Sequence, residues 1–410
     1  MKISSKNLKI FENLPPEVLK IFAIFGENIR LVGGSVRDLI LAKKVHDFDF
    51  ACKFLPKKIE KILNENNIKS VPTGLKYGTI TAVINHQNFQ ITTLRKDENQ
   101  KGRYCEVNFV EDFYEDAKRR DFTINALYLD SLGEIHDYFN GIADLKNHNV
   151  RFILDPKTRI QEDYLRILRF FRFSCDYAQN LDKEGLEACL QFKNSLEILS
   201  KERVREEFLK IISSKNSAQI INILNLFKEH KIDKILWNLS IDNEAFKRFL
   251  SLENFIDKNN LKLVKIAIIF LNLNLDLEDF NKKFCLTKIE KTFLKKCLNL
   301  LKKYDFNVPE KLDINEIVIE NSKNFALNFY LIFYCKNFEK ISSNNFENMM
   351  KYLENLEVAH FEFKINDLEK FGCPQHKLGS TLKSLKIKWA RSNFKMSHEQ
   401  FLVELKNILH

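Results

Sequence analysis

The fold predicted for this chain is decided by the stretch LVGGSVRD at residues 31–38 and the stretch DFD at residues 47–49. In the first stretch an apolar run, two glycines and an amphipathic segment predict a strand, a tight turn and a helix capped by Ser35. Glycines let the backbone approach a phosphate, and the free N–H groups at a helix start favour an anion. A tight turn without any ligand explains the same two glycines, so they do not identify a site by themselves.

The two aspartates of the second stretch, Asp47 and Asp49, are expected at the start of a strand over residues 48–52. Because side chains alternate along a strand, both carboxylates should point to the same side. Neighbouring carboxylates repel each other unless a cation lies between them, and Mg²⁺ prefers such hard oxygen ligands. A solvated pair of aspartates is the alternative, but the nearby glycine turn favours a site for two metal ions.

Two further stretches combine arginine with aspartate. The stretch RRDFTINA at residues 119–126 is typical either of a helix end with an ion pair or of an arginine that binds a triphosphate through two hydrogen bonds. The stretch EDYLRILRFFR at residues 162–172 spaces one aspartate and three arginines by three along a predicted helix. Aspartate accepts and arginine donates, so this face can pair with the edge of a nucleobase, unless it is simply solvated.

The composition describes a folded chain with two kinds of region. Its 410 residues include 65 basic and 55 acidic side chains and 45% hydrophobic residues, which excludes a disordered or collagen-like chain. Eight of the 11 glycines occur by Gly141, and none lies between Leu186 and Phe371. The turn-rich first part predicts a head of strands and helices, and the remainder predicts an all-helical region.

The sequence also predicts location and thiol chemistry. No stretch reaches the roughly 20 apolar residues that span a bilayer, and residues 1–15 mix charged with apolar side chains. A cytoplasmic protein that does not bind membranes is therefore expected. The eight cysteines are scattered without a CxxC pair, which predicts free thiols and no zinc site or disulfide.

Taken together and in this order, the four motifs resemble those of the class II nucleotidyltransferases of the DNA polymerase β superfamily. That family contains bacterial CCA-adding tRNA nucleotidyltransferases and bacterial poly(A) polymerases. The resemblance implies an α+β fold, with a nucleotidyltransferase head that contains a mixed sheet and is followed by an all-α neck, body and tail. The implied bounds are 1–150 for the head, 151–215 for the neck with the base-selecting helix, 216–335 for the body and 336–410 for a basic, tRNA-binding tail.

The resemblance assigns roles to nine residues. Asp47 and Asp49 would be the catalytic residues and would hold two Mg²⁺ ions. The nucleotide-binding residues would be Gly34, Arg37, Arg120, Asp163, Arg166, Arg169 and Arg172. Among these, Asp163 and Arg166 would act as an amino-acid template for the incoming base. Residues 97–104 would correspond to the flexible loop of the family.

The function implied by the resemblance is template-independent addition of C, C and A to the 3′ end of tRNA, from CTP and ATP, with release of pyrophosphate. Its partners would be tRNA and the two nucleotides, and no protein partner is implied. Three alternatives stay open at this point: a poly(A) polymerase, an enzyme that adds only CC or only A, and a non-enzymatic RNA-binding protein. The nucleotides that the protein incorporates would distinguish them.

Overall fold

A computed structural model describes residues 10–11, 14–45, 47–101, 104–237, 243–257, 259–271, 273, 275–305, 307–361 and 363–409. The chain divides into two compact units, Met1–Asn238 and Leu239–His410. Within the described residues every strand belongs to the first unit, and the second unit is helical. The predicted α+β class, with a mixed sheet near the N-terminus and helices after it, is confirmed.

Seven strands of the first unit form one sheet, and two more form a separate hairpin. The strands are β1 (Ile29–Val32), β2 (Phe48–Cys52), β3 (Lys69–Gly74), β4 (Thr79–Ile84), β5 (Gln87–Thr93), β6 (Arg95–Lys101), β7 (Tyr104–Phe109), β8 (Leu127–Leu129) and β9 (Ile135–Asp137). The order in the sheet is β3-β4-β5-β2-β1-β8-β9, in which β2 and β5 run parallel and all other neighbours antiparallel. This order places β1 and β2 side by side at the centre, so the glycine turn and the aspartate pair lie at the same edge.

The helices of the first unit follow the strands or connect them. They are α1 (Pro16–Phe25), α2 (Gly34–Ile40), α3 (Pro56–Glu65), α4 (Phe113–Lys118), α5 (Gly141–Lys146), α6 (Pro156–Glu162), α7 (Leu165–Tyr177), α8 (Lys183–Gln191), α9 (Lys201–Ile212), α10 (Ser217–Glu229) and α11 (Ile232–Trp237). Helix α7 is apolar on the side that meets the sheet region, where Phe170 packs against Phe122 and Phe152. Burial of these rings fixes α7 beside the edge where β1 ends and β2 begins.

The second unit contains further helices around two apolar clusters. They are α12 (Asn243–Leu252), α13 (Leu261–Leu271), α14 (Leu277–Phe284), α15 (Lys288–Lys303), α16 (Lys311–Glu320), α17 (Lys323–Lys336), α18 (Ser343–Asn355), α19 (Ile365–Lys370), α20 (Leu378–Arg391) and α21 (His398–Leu409). Helix α17 is buried along most of its length, with Phe329 and Leu331 fully enclosed. Helices α19 to α21 share a second cluster around Leu385 and Trp389.

Two local expectations are wrong. Helix α2 begins at Gly34 with Gly33 as its N-cap, so Ser35 lies inside the helix and caps nothing. Its hydroxyl instead donates to the Asp47 carbonyl at 3.2 Å and accepts from the Asp49 N–H at 3.3 Å, which ties α2 to β2. The helix expected through residues 162–172 is interrupted, because Asp163 is extended and its carboxylate accepts the Leu165 N–H at 3.1 Å.

Candidate active site

All nine residues that the sequence assigned to the site line one cavity of about 910 Å³ in the first unit. The cavity is bounded by the glycine turn after β1, the start of β2, the segment 119–125 and one face of α7. The site residues therefore come from four separate stretches of the sequence, which the sheet order and the packing of α7 bring together. The cavity is open to solvent and is lined by both carboxylates and guanidinium groups, as expected for a site that binds charged ligands.

The glycine turn lies against one of the predicted arginines. Gly33 has φ +74°, a backbone conformation that glycine adopts without strain. A side-chain carbon at this position would lie 3.4 Å from Nη1 of Arg120. The turn thus leaves room for the guanidinium at the point where Gly34 opens α2.

The aspartate pair lies at the mouth of the cavity. Asp47 and Asp49 are both exposed and both line the cavity, in agreement with the expected common side of β2. Although part of its side chain reaches solvent, loss of hydration against the cavity walls raises the pKa of Asp49, Arg120 opposes that shift, and the charge of Asp47 adds to it. Two carboxylates whose mutual repulsion raises a pKa form a donor set that fits a hard cation.

A second group of possible metal ligands lies outside the cavity. Asp130, Glu134 and His136 place ligand atoms within 4.8 Å of one another, but they lie in the β8–β9 hairpin and do not line the cavity. Asp130 accepts the N–H groups of Leu132 and Glu134, both at 2.9 Å, and pairs with His136 at 2.7 Å. These contacts shape the turn of the hairpin.

Arg37 lines the cavity, but protein groups already occupy most of its guanidinium. Nη1 donates to Asn125 at 2.5 Å, and Nε and Nη2 donate to Asp38 at 2.9 and 3.1 Å. The group also stacks on the ring of Tyr177, 4.3 Å from its centre, and the Tyr177 hydroxyl donates to Asp38 at 3.0 Å. Arg37 therefore joins α2 to the last residue of α7 and shapes the cavity wall.

Arg169, on α7, is held by a buried carboxylate at position 121. Asp121 accepts from Nε of Arg169 at 2.8 Å and from the side chain of Asn125 at 3.0 Å. Burial alone would raise the pKa of Asp121, but Arg169 and the Asn125 hydrogen bond lower it to about 2. Asp121 is thus ionised at neutral pH and fixes the orientation of Arg169.

The two residues expected to select the base lie on the same wall. Asp163 accepts from Nη2 of Arg203 at 2.6 Å, and Arg166 donates to Glu162 and to the Arg119 carbonyl, the latter at 3.0 Å. Arg166 is only 6% exposed, so these contacts hold its side chain in one orientation. Asp163 lies two residues before α7 begins, Arg166 lies in the first turn of α7, and both residues line the cavity.

Several cavity residues were not predicted from the sequence. Asn125 and Asp121 belong to a predicted motif but were not singled out, while Tyr177 and Arg203 lay outside the motifs that were assigned roles. The spacing of arginine and aspartate in the RRD motif is a signal for Asp121. No local pattern marks Tyr177, because its partner Asp38 is 139 positions earlier in the chain.

The chain is similar to known nucleotidyltransferases over most of its length. A family described as "Poly A polymerase head domain" matches residues 29–151, and one described as "Probable RNA and SrmB-binding site of polymerase A" matches residues 180–228. The relative "CCA tRNA nucleotidyltransferase 1, mitochondrial" of Mus musculus is 32% identical over 99% of this chain and 93% of its own length. The Homo sapiens protein of that name is 31% identical over the same shares.

A solved structure agrees in fold. The CCA-adding enzyme of Bacillus stearothermophilus, solved in complex with CTP, superposes with a TM-score of 0.72 and covers 96% of this chain and 98% of its own. Its sequence identity is 22%, so this likeness concerns the fold alone. Within the described part of the chain, every helix is too short or too polar to cross a bilayer.

Proposed function

The chain belongs to the family of class II CCA-adding tRNA nucleotidyltransferases and poly(A) polymerases, and on this premise we propose that it adds C, C and A to the 3′ end of tRNA. The nucleotides would be CTP and ATP, and pyrophosphate would leave. The alignment with the mouse CCA tRNA nucleotidyltransferase, which extends over 99% of this chain, carries the proposal. The collection of all nine expected residues in one cavity supports it.

Asp47 and Asp49 would be the catalytic residues. Enzymes of this family depend on metal ions in general, and the paired carboxylates fit Mg²⁺, which takes oxygen ligands. When bound, Mg²⁺ would neutralise charge on the triphosphate and favour ionisation of the terminal ribose hydroxyl. The protein positions the two carboxylates through the Ser35 hydroxyl, which bonds the backbone on both sides of Phe48.

The triphosphate would lie against the glycine turn. Gly34 begins α2 there, and Nη1 of Arg120 lies beside the same turn. The backbone N–H groups at the start of α2 and the Arg120 guanidinium could therefore both bind the triphosphate. A terminal ribose hydroxyl held in line with the α-phosphate can then displace pyrophosphate, with most of the rate gain coming from position and charge. Arg37 would contribute by shaping the cavity wall, because its N–H groups already donate to Asp38 and Asn125.

The incoming base would be selected by Asp163 and Arg166, with Arg169 and Arg172 supporting base and phosphate. Cytosine and adenine share an exocyclic amine beside a ring nitrogen, so one acceptor and one donor serve both bases. Uracil and guanine present an oxygen where the amine would be, which places acceptor against acceptor at Asp163. The contacts of Arg203 with Asp163 and of Glu162 with Arg166 fix the orientation of these two side chains before a base binds.

The remaining assignments are proposals of the same kind. We keep the bounds 1–150, 151–215, 216–335 and 336–410 for head, neck, body and basic tRNA-binding tail. Strands β6 and β7 lie where the flexible loop is expected, and residues 102 and 103 of that loop lie outside the described residues. A cytoplasmic location also stays a proposal, because the mouse and human relatives are named as mitochondrial proteins; cell fractionation would test it.

One experiment tests the function. The purified protein is incubated with tRNA that lacks its 3′ CCA, with Mg²⁺ and with each nucleotide alone or with all together, and the 3′ ends are sequenced. Complete CCA from CTP and ATP is expected. Long runs of A on any RNA would instead identify a poly(A) polymerase, and products that end at CC or gain only A would identify a partial enzyme. RNA binding with no extension under any condition would contradict an enzymatic function.

A further inference from the structure

Behind Arg120 lies a buried pair of polar side chains that the mechanism above does not use. Asp116, on α4, and Tyr128, on β8, are both 0% exposed, and neither lines the cavity. The Tyr128 hydroxyl donates to Oδ2 of Asp116 at 2.8 Å. A carboxylate and a phenol enclosed together in a protein interior need bonded partners, because an unpaired buried polar group is costly.

Both members of the pair hold Arg120. Its Nε donates to the Tyr128 hydroxyl at 3.0 Å, and its Nη2 donates to Oδ2 of Asp116 at 3.1 Å. Nη1 donates to none of the residues that the structure describes and lies beside Gly33 instead. Two of the three nitrogens are therefore fixed from behind, and the third faces the glycine turn.

The protonation states of Asp116 and Tyr128 are consistent with these hydrogen bonds to Arg120. Asp116 also pairs with Arg119 at 2.8 Å, and although burial would raise its pKa, the two arginines hold that pKa well below its usual range. Burial raises the pKa of Tyr128 above its ordinary value, so the hydroxyl keeps its proton throughout the neutral range. The phenol can thus donate to Asp116 and accept from Arg120 at the same time.

We propose that Tyr128 and Asp116 are positioning residues that fix the Arg120 guanidinium at the glycine turn, so that it meets the nucleotide triphosphate already oriented. The inference rests on the proposed function, since it needs a nucleotide at this cavity. An arginine side chain loses much rotamer freedom when it binds an anion, and a guanidinium that the protein already holds avoids that loss on nucleotide binding. The purely structural alternative is that the network only joins α4 to β8.

The test replaces Tyr128 with phenylalanine, which keeps the buried ring and removes only the hydroxyl. Tyr138→Phe is the matched control, because Tyr138 lies next to Tyr128, with ring centres 5.9 Å apart, and its hydroxyl also bonds an arginine, Arg30, at 2.7 Å. Neither Tyr138 nor Arg30 lines the cavity. Steady-state addition to trimmed tRNA and CTP binding without tRNA are measured on the full chain.

Tyr128→Phe is expected to raise KM for CTP and for ATP about five- to tenfold, with kcat within about twofold of the parent. Tyr138→Phe should leave both constants unchanged. In an Arg120→Ala background, Tyr128→Phe should weaken CTP binding no further, because the group that it positions is gone. Asp116→Asn, which keeps size and one acceptor oxygen, should raise KM in the same direction and serves if the phenylalanine variant does not fold.

Three results would overturn the inference. One is an unchanged KM in folded Tyr128→Phe, another is an equal loss in the Tyr138 control, and the third is a loss of the same size in the Arg120→Ala background. Failure of the proposed function would look different, because the unsubstituted protein would then bind CTP without extending tRNA, and the binding measurement would still decide the role of Tyr128. A parent protein that binds no CTP would overturn both.

Discussion

Removal of either carboxylate of the aspartate pair should abolish nucleotide addition. Asp49→Ala and Asp47→Ala each leave one carboxylate where two are needed for the cation, so kcat should fall about a thousandfold or more. Binding of tRNA should persist, because neither residue carries positive charge. The control is Glu65→Ala, which removes an exposed carboxylate of α3 whose pair with Lys61 is worth little. Near-normal turnover of either aspartate variant at saturating Mg²⁺ would contradict this role.

A second prediction at the scale of single residues concerns Asp121 and pH. Its pKa in the folded protein is about 2, below the ordinary 3.8, so its ionised form stabilises the fold above about pH 4. Asp121→Asn should therefore lower the free energy of unfolding by about 2 kcal/mol at pH 7. This difference should shrink as pH falls from about 4 towards 2, where the parent carboxylate takes up its proton.

Urea unfolding of the parent and of Asp121→Asn at several pH values, followed by circular dichroism, measures this difference. Arg151→Gln, which breaks the pair of the half-exposed Arg151 with the buried Asp144 at 2.9 Å, serves as a control for loss of an ion pair. A stability difference that stays constant from pH 7 down to pH 3 would show that the Arg169–Asp121 pair is not its source.

At the scale of the element, we propose that the start of α7 selects the incoming base. Asp163→Ala should lower the rate with CTP and ATP and should relax rejection of UTP and GTP by roughly tenfold, since the Asp163 carboxylate would no longer face the carbonyl oxygen of those bases. Arg166→Ala should impair CTP and ATP together. Single-nucleotide incorporation with all four triphosphates measures both effects.

The structure supplies a control that separates base selection from helix stability. Because the Asp163 carboxylate also accepts the Leu165 N–H, its loss frays the first turn of α7. Asp163→Asn keeps an acceptor for that N–H but offers an amide group to the base. If Asp163→Ala slows addition yet still rejects UTP and GTP as the parent does, selection lies elsewhere in the cavity.

At the scale of the whole molecule, the basic C-terminal segment should contribute salt-dependent binding of tRNA. Residues 371–410 hold 7 basic and 2 acidic side chains, but α20 and α21 share an apolar core, so a deletion would also expose that core. Charge removal on the surface is the cleaner change. The double variant Lys377→Gln/Lys383→Gln should weaken tRNA binding. It should also reduce the slope of log binding constant against log salt concentration by about one for each phosphate contact that is lost.

The matched control for this prediction removes two exposed lysines from the head. Lys57→Gln/Lys61→Gln lowers the net charge by the same amount on α3, which does not line the cavity. Filter binding between low and physiological salt gives both slopes. An equal change of slope in the two double variants would mean that total charge, and not the C-terminal segment, sets the affinity.

The sequence alone predicted part of the secondary structure and the four stretches that line the cavity. Strand β2 has the predicted bounds, 48–52, because the apolar side chains that indicate a buried strand are neighbours along the chain. The motifs at residues 31–38, 47–49, 119–126 and 162–172 supply all nine expected cavity residues. Each motif is local, so a single sequence reveals it.

The tertiary structure alone decided how those residues are held. Arg37 bonds Asn125 across 88 positions, and Tyr177 bonds Asp38 across 139, so no window of sequence contains both partners. The Asp163 carboxylate likewise accepts from Arg203, forty positions later. Side-chain partners depend on the order of strands in the sheet and on the packing of α7, and these are set by burial of the whole unit rather than by neighbours along the chain.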